Sequence, residues 1–295
     1  MTEPAPTHPT GTAVFSTPLA HGPWGVAISS QGLSYVTRPL TDSIARVDLD
    51  GPRVTASFRV GNRPDDVWFN ASGSTAYVTN LNDGTVGVIN TATSTQTATF
   101  PVSGGPLRGI LGPGETRLYV TLDNGSVVVL NAATGAFDTT LAVGGLPNGI
   151  ALSPGRSRLY VSSASGTVAE INTATNAILR TLTVGGTPQD IEVSADGNTL
   201  YIANEAGWLD VRDIASGART DSIPVPAAFA LAVTPDAAQI WITQSAMGSI
   251  TVVDRASRAV AKTIQTLGTP RHIAFTRGGR VALIANEQGL VQVIE

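Results

Sequence analysis

The feature that most constrains this chain is an internal repeat of about 41 residues. An aromatic residue, or once a leucine, precedes Val or Ile at spacings of 42, 42, 41, 41, 40 and 42 residues: Tyr35-Val36, Tyr77-Val78, Tyr119-Val120, Tyr160-Val161, Tyr201-Ile202, Trp241-Ile242 and Leu283-Ile284. A polar residue ends the next apolar run at spacings of 42 and then 41 residues: Asp48, Asn90, Asn131, Asn172, Asp213, Asp254 and Glu295. Two independent markers share one period, so the chain consists of seven copies of one structural unit.

Each copy predicts four short β-strands. In the fourth copy, residues 149–152 are small and apolar, and a Ser-Pro-Gly-Arg turn leads to a second strand at 158–162. A third strand follows at 168–171, and a threonine-rich fourth strand at 178–184. Strands of four to seven residues at this spacing, with no helical period, indicate an all-β protein.

A single four-stranded sheet of this size cannot bury both of its faces, whereas sheets that stack radially around an axis can. The seventh copy stops at Glu295 after its third strand, and the N-terminal segment from about Thr12 to Pro18 resembles the outer strands of other copies. We therefore predict a seven-bladed β-propeller with four antiparallel strands per blade, in which this N-terminal strand closes the last blade. Residues 11–295 form the single propeller domain, and residues 1–10 are expected to be a flexible tail.

The second copy carries the motif of a known repeat family. Tyr77-Val78-Thr79-Asn80 is followed by Gly84-Thr85-Val86-Gly87-Val88-Ile89-Asn90, and this segment resembles the YVTN-type β-propeller repeat. The resemblance covers about residues 12–295. It implies the fold but no single function, because these repeats serve many roles.

A more remote resemblance is to the streptogramin lyases, which are also seven-bladed. The resemblance implies a catalytic histidine at the start of an inner strand and a glutamate at the last position of the tetrad. In this sequence those positions hold Arg271 and Asn286, while His272 and Glu287 lie one residue further along.

The first strand of each blade in a propeller lines the central channel, and ligands bind in such concavities. In the simplest copies the loop before this strand reads Pro-x-Gly. Aligned on this pattern, the x position holds Trp24, Asp65, Arg108, Asn148, Gln189, Phe229 and Arg271, and the next position holds Gly25, Asp66, Gly109, Gly149, Asp190, Ala230 and His272. A second ring follows the second strands, at Arg38, Asn80, Leu122, Ser163, Asn204, Gln244 and Asn286, with Asp123, Glu205 and Glu287 just beyond it. Symmetric packing does not require such chemical diversity, so these rings predict a binding site.

These residue types suggest roles at the channel mouth. The predicted catalytic residues are Asp66, His272, Arg271 and Glu287, with Asp66 or His272 as a general base if burial adjusts its pKa. The predicted ligand-binding residues are Trp24, Arg38, Asp65, Arg108, Asn148, Gln189, Asp190, Glu205 and Phe229. Two aromatic side chains from this set could sandwich a planar body, and its guanidinium groups could hold a carboxylate or phosphate. For each residue, a solvated polar position or a turn brace remains the alternative.

The charge and cysteine content of the chain limit the kinds of partner and cofactor that it is expected to bind. The net charge is −4, with 18 basic and 22 acidic residues, so nucleic acid and anionic membrane surfaces are not expected as partners. The chain has no cysteine, which removes disulfides, thiolate metal sites and a cysteine nucleophile. No cofactor is expected. A divalent metal held by His21, His272 and a carboxylate is a weaker alternative.

Two functions of different classes follow. The first is a small-molecule-binding propeller with its ligand at the channel mouth, acting as a lyase, isomerase or cyclase through acid–base chemistry. The second is a non-enzymatic scaffold for protein interactions. A monomer is expected. The first ten residues lack the basic start and apolar core of a signal peptide, which favours a cytoplasmic location, although a trimmed secreted form would look the same.

Overall fold

The computed structural model describes residues 7–11, 14–19 and 22–295, and within them the chain forms seven four-stranded antiparallel sheets. Blade 1 contains β2 (Val26–Ile28), β3 (Ser34–Arg38), β4 (Ser43–Asp48) and β5 (Arg53–Arg59). Blade 2 contains β6 (Pro64–Phe69), β7 (Thr75–Asn80), β8 (Thr85–Asn90) and β9 (Thr95–Pro101). Blade 3 contains β10 (Pro106–Leu111), β11 (Arg117–Leu122), β12 (Ser126–Asn131) and β13 (Phe137–Ala142).

The remaining blades repeat this pattern. Blade 4 contains β14 (Pro147–Leu152), β15 (Arg158–Ser163), β16 (Thr167–Asn172) and β17 (Ala177–Thr183). Blade 5 contains β18 (Pro188–Val193), β19 (Thr199–Asn204), β20 (Trp208–Asp213) and β21 (Arg219–Pro224). Blade 6 contains β22 (Ala228–Val233), β23 (Gln239–Gln244), β24 (Ser249–Asp254) and β25 (Ala259–Gln265). Blade 7 contains β26 (Pro270–Phe275), β27 (Ala282–Asn286), β28 (Leu290–Ile294) and the N-terminal β1 (Val14–Pro18).

Helical structure in the described residues is limited to two 3₁₀ turns, Pro39–Thr41 and Pro113–Glu115. None of the helices in this part of the chain has the length and apolarity needed to cross a bilayer.

The predicted ring closure is confirmed. β1 pairs antiparallel with β28, in a register that places Val14 opposite Ile294 and Pro18 opposite Leu290. The backbone N–H of Leu19 extends the pairing by donating to the Gly289 carbonyl at 2.9 Å. Residues 12 and 13 of the predicted strand lie outside the described residues. Because the two ends of the chain share one sheet, blades 7 and 1 become neighbours in the ring.

The segment before β1 also contacts the propeller. The Thr7 N–H donates to the Gly278 carbonyl at 3.0 Å, and the Gly11 N–H donates to the Glu295 carbonyl at 2.8 Å. His8 Nδ1 lies 2.5 Å from a carboxylate oxygen of Asp236. Residues 7–11 are therefore anchored to blades 6 and 7.

The hydrophobic core lies between neighbouring blades. Tyr35 of β3 is fully buried, and its ring lies 5.4 Å from that of Phe58 in its own blade and 5.1 Å from that of Phe69 in blade 2. Trp241 occupies the same place in blade 6 and packs edge-on against Phe275 of blade 7. The recurring aromatic of the repeat is thus the residue that fills the space between two sheets, where burial of apolar surface is most favourable.

In blades 1, 2 and 6 a hydroxyl group on the second strand ties the inner strand to the next blade. Thr79 Oγ1 accepts a hydrogen bond from the Asp66 N–H at 2.8 Å and donates to the Leu107 carbonyl of blade 3 at 2.9 Å. Thr37 repeats this arrangement by donating to the Asp65 carbonyl of blade 2 at 2.9 Å. We call this the hydroxyl seam. In these three blades it holds the inner strand against the inner strand of the next blade.

Deletion of residues 1–18 should destabilise the whole propeller, because it removes β1 and leaves the β28 edge unpaired. Loss of several hydrogen bonds at about 1 kcal/mol each should lower the free energy of unfolding by about 2 kcal/mol or more. For a domain of this size that corresponds to a Tm lower by about 4–8 °C. Differential scanning calorimetry measures this, and a deletion of residues 1–6 is the control. An unchanged Tm in the longer deletion would contradict closure by β1.

Replacing Thr79 with valine should lower the free energy of unfolding by about 1–3 kcal/mol, because the buried Asp66 N–H then loses its acceptor while the shape is kept. The matched control is Thr97→Val on the exposed outer strand, which should stay within about 0.5 kcal/mol of the parent protein. Urea unfolding compares the two variants, and equal effects would argue against the hydroxyl seam.

Candidate functional site

One face of the propeller carries both loops that can form a site. The loop after each second strand hydrogen bonds to the loop before the inner strand, as when the Glu205 N–H donates to the Thr187 carbonyl at 3.0 Å and the Asp123 N–H donates to the Gly105 carbonyl at 2.9 Å. We call this the mouth face. The turns between the first and second strands lie on the opposite face.

The structure corrects the sequence alignment in blade 3. The Arg108 N–H donates to Thr121 Oγ1 at 3.0 Å, as the Asp66 N–H does to Thr79, so Arg108 is the equivalent of Asp66 and not of Asp65. The sequence alignment took Gly109 as the glycine of the Pro-x-Gly loop. This glycine is instead required for packing, because a Cβ atom there would lie 2.1 Å from the Trp68 ring.

Two rings of side chains therefore surround the channel. The outer ring holds Trp24, Asp65, Leu107, Asn148, Gln189, Phe229 and Arg271, and the inner ring holds Gly25, Asp66, Arg108, Gly149, Asp190, Ala230 and His272. In blades 2 to 7 the register between the first two strands shifts at these positions, as between Pro270 and Ile273. Such a bulge redirects side chains. The bulge explains how two consecutive residues of one blade, one in the outer ring and one in the inner ring, can both surround the channel.

An aromatic cradle lies in the outer ring at blades 6, 7 and 1. The Arg271 guanidinium carbon lies 4.3 Å from the centre of the Trp24 ring and 4.8 Å from that of Phe229. The two aromatic rings are 5.9 Å apart and nearly perpendicular. Arg271 also forms an ion pair with Glu287, whose side chain is 44% exposed. The space expected for a planar ligand between these two aromatic rings is thus occupied by a guanidinium group of the protein itself.

A charged chain crosses the channel below the cradle. Arg108 of blade 3 donates through Nη2 to His272 Nε2 of blade 7, and its Nη1 lies 3.5 Å from Asp66 Oδ1 of blade 2. The second Asp66 oxygen accepts a hydrogen bond from the Gly109 N–H at 3.2 Å. The structure therefore joins two predicted catalytic residues, Asp66 and His272, through a residue that was predicted only to bind ligand.

The contacts of His272 define its protonation. A guanidinium group can only donate hydrogen bonds, so Nε2 must be the unprotonated acceptor and the proton of the neutral ring sits on Nδ1. Burial lowers the pKa of His272 well below its usual value, and the charges of Arg108 and Arg271 lower it further, while the Trp24 backbone opposes the shift. Nδ1 is buried without a hydrogen bond of ordinary geometry among the described residues. His272 is therefore a neutral donor and a poor base.

The carboxyl groups of the channel have a raised pKa, whereas that of His272 is lowered. Burial raises the pKa of Asp65 to about 7, against the attraction of the Arg108 charge. Burial also raises the pKa of Asp66 and of Asp190, again opposed by Arg108. Asp66 and Asp190 each accept backbone hydrogen bonds, Asp190 from Ile191 at 3.0 Å and Leu231 at 3.1 Å. Within the described part of the chain, the structure shows no hydrogen bond to the Asp65 carboxyl group, so this group is free to meet a ligand.

The other predicted binding residues lie apart from this cluster. Asn148 donates to Gln189 at 2.6 Å, and Gln189 donates to the exposed Glu205 at 2.6 Å, which forms a polar chain on blades 4 and 5. Arg38 donates to Ser57 at 3.0 Å on the outer strand of its own blade. The structure thus gathers Trp24, Asp65, Asp66, Arg108, Asp190, Phe229, Arg271, His272 and Glu287 in one region.

Sequence reasoning missed Glu192. This residue lies deeper on β18, and its Oε2 accepts a hydrogen bond from the Val233 N–H of blade 6 at 2.8 Å. Burial raises its pKa to about 8. A charged residue between Ile191 and Val193, in an otherwise apolar inner strand, was the signal that could have revealed it.

The metal alternative gains no support from geometry. His21 lies outside the described residues, and no group of three or more His, Cys, Asp or Glu side chains elsewhere is arranged to hold a metal ion. The site is defined by its carboxyl, guanidinium and aromatic groups.

Comparison with known proteins supports the architecture. No protein-family model matches the chain, and no curated protein matches it. A solved chain titled Kuenenia stuttgartiensis hydrazine synthase superposes with a TM-score of 0.86 at 16% sequence identity, covering 98% of this chain and 99% of that chain. At this identity the likeness shows the fold alone. The chain is a seven-bladed β-propeller.

Asp65→Asn should change how stability depends on pH. Because burial holds the pKa of Asp65 near 7 in the folded protein, against 3.8 as the usual value, folding opposes its ionisation. The parent protein should therefore lose stability from this group as pH rises from about 4 to 7. Relative to the parent, the variant should gain about 2–3 kcal/mol between pH 5 and pH 8.

Guanidinium unfolding at the two pH values measures this difference. The control is Asp50→Asn, at an exposed position on the opposite face, which should show no such gain. A parallel response of both variants to pH would show that Asp65 ionises as freely as a surface carboxylate.

Proposed function

We propose that this protein binds a small organic molecule at the channel mouth and moves a proton with Asp65. The observation that supports this most directly is the Asp65 carboxyl group, which is 8% exposed, has a pKa of about 7 and is close enough to the aromatic cradle for the charge of Arg271 to lower that pKa. A group that titrates near the working pH serves both as general base and as general acid. The proposal keeps the acid–base chemistry expected from sequence and assigns it to a different residue.

Contacts favour Asp65 over the two bases expected from sequence. Asp66 already accepts hydrogen bonds from Gly109 and Arg108, and these hold its carboxylate in place. His272 has its only basic nitrogen occupied by Arg108. We assign both to positioning: Asp66 orients Arg108, and Arg108 in turn fixes the ring of His272.

The cradle indicates how the ligand is recognised. Arg271 is held between Trp24 and Phe229, so its guanidinium is oriented before a ligand arrives. Its ion-pair partner Glu287 is exposed and easily displaced. A carboxylate or carbonyl group of the ligand can replace Glu287 at this guanidinium, while the apolar body of the ligand contacts the aromatic edges.

Many lyases, isomerases and cyclases use proton transfer at carbon, and this is the step we propose here. Ionised Asp65 takes a proton from a C–H bond beside a carbonyl group, and the electron pair of that bond moves toward the carbonyl oxygen. Arg271 stabilises the negative charge that develops there. Protonated Asp65 then returns the proton, to the same carbon or to another, so the enzyme ends in its starting state.

We also propose that the repeat belongs to the YVTN type. The proposal rests on the residues of the tetrad, which build the backbone scaffold that carries the site. Each residue of Tyr77-Val78-Thr79-Asn80 has a distinct physical role in blade 2. The first two are in the core, Thr79 forms the hydroxyl seam, and Asn80 donates to Thr85 at 3.1 Å.

A protein-interaction scaffold is the second candidate, and one observation favours it. Leu40, Met247 and Leu267 lie on loops of the mouth face and are 76%, 58% and 59% exposed. Exposed apolar side chains on one face are a feature of interaction surfaces. This role predicts binding of a protein partner that Leu40→Ser and Met247→Ser weaken, with no proton exchange into a small molecule.

The experiment that tests the first proposal measures hydrogen exchange at carbon. The protein is incubated in D₂O with a panel of small carboxylates that carry a C–H bond beside a carbonyl group, and NMR follows replacement of that hydrogen by deuterium. We expect exchange with the parent protein, and a loss of about 100-fold or more in Asp65→Asn, since one acid–base group typically contributes about 100- to 10,000-fold.

Two variants serve as controls. Asp50→Asn should exchange as fast as the parent protein, while Trp24→Leu should raise the concentration of carboxylate needed for half-maximal exchange. Exchange that continues unchanged in Asp65→Asn would remove Asp65 from the chemistry, and no exchange with any carboxylate would leave the scaffold as the better proposal.

A further inference from the structure

The far end of the channel holds a cavity that is separate from the mouth site. It has a volume of about 500 Å³, and its lining includes Ile110, Ile150, Leu152, Ser153, Arg156 and Glu192. These residues come from the inner strands of blades 3, 4 and 5 and from the turn after β14. The contact between Arg108 and His272 crosses the channel in the inner ring, between this cavity and the mouth.

Glu192 is the acidic group of this cavity. Its carboxylate accepts one hydrogen bond, from the Val233 N–H at 2.8 Å, and the described residues provide no cation that pairs with it. The walls combine apolar side chains of β10, β14 and β18 with Ser153 and Arg156 of the turn after β14. Glu192 is half-buried, and a carboxylate partly removed from water is stabilised when a cation pairs with it.

The charges around Glu192 are few. Asp190 lies on the same strand and raises the pKa of Glu192 slightly, beyond the effect of burial. The neighbouring strands β14 and β22 carry no charged residue, and β10 carries only Arg108, which is bound to Asp66 and His272. Arg156 at the cavity edge donates to the Leu111 and Gly112 carbonyls at 3.3 and 3.2 Å.

We propose that this cavity is a binding site for a small apolar amine, whose ammonium group pairs with Glu192 and whose hydrocarbon part contacts Ile110, Ile150 and Leu152. Apolar side chains beside a carboxylate that has no ion-pair partner within the described ranges fit this class of ligand, because burying the hydrocarbon part contributes affinity and the ion pair contributes selectivity. The site is independent of the function proposed for the mouth.

Binding of hexylammonium chloride and of its neutral counterpart n-hexanol tests this site, by titration calorimetry at pH 9. We expect the parent protein to bind hexylammonium at least about tenfold more tightly than n-hexanol, since only the cation completes the pair with Glu192. Affinity for hexylammonium should rise about tenfold or more between pH 6 and pH 9. Over that range Glu192 ionises, while an alkylammonium, like lysine, stays charged.

Glu192→Gln is the decisive variant, because its amide oxygen can still accept the Val233 N–H and keep the fold. It should lose the preference for hexylammonium while n-hexanol binding changes less than about twofold. Leu152→Trp, which fills the cavity, should weaken both probes. Asp65→Asn at the mouth should affect neither, so failure here is distinguishable from failure of the mouth proposal.

Three results would overturn the site. They are equal affinity of the parent protein for the two probes, an unchanged preference in Glu192→Gln, and absence of hexylammonium binding at millimolar concentration. Melting curves of each variant show whether the propeller is intact.

Discussion

The pairing of β1 with β28 is the interaction on which the rest of the structure depends. Seven sheets in sequence would form an open arc, and the hydrogen bonds between Val14–Pro18 and Leu290–Ile294 turn that arc into a ring. Only in a closed ring does Arg271 of blade 7 lie beside Trp24 of blade 1. The contacts that Trp24 makes in the cradle therefore depend on one strand supplied by the other end of the chain.

Within the ring, the repeat gives the blades a common backbone arrangement, and the inner strands carry the polar and charged side chains. The hydroxyl seam repeats the same backbone contact in blades 1, 2 and 6. The outer-ring side chains differ in every blade, while the inner ring repeats only glycine and aspartate. Arg108 illustrates the result, since it reaches from blade 3 to residues of blades 2 and 7 and so links parts of the ring that share no sheet.

The buried charges at the channel are hard to explain as stabilising features. Asp65, Asp66, Asp190 and Glu192 all have a raised pKa, which means that folding opposes their ionisation. Well-packed apolar residues would fill this space at lower cost. Groups retained at such a cost are candidates for function, and here they divide between the two ends of the channel. Near the mouth they share the site with Arg271 and its aromatic neighbours, and Glu192 shares its cavity with aliphatic side chains.

The sequence by itself determined the all-β class, the number of blades, the strand order, the closing strand and the ring positions that vary. These follow from a period and from local patterns of apolar and turn residues, which chain neighbours alone define. The tertiary structure decided which side chains meet: that Arg108 belongs to the inner ring, that Arg271 lies between Trp24 and Phe229, and that Glu192 is half-buried without an ion-pair partner among the described residues. The physical reason is that pairing across a channel and the pKa of a buried group depend on distances between blades, and no spacing along the chain contains those distances.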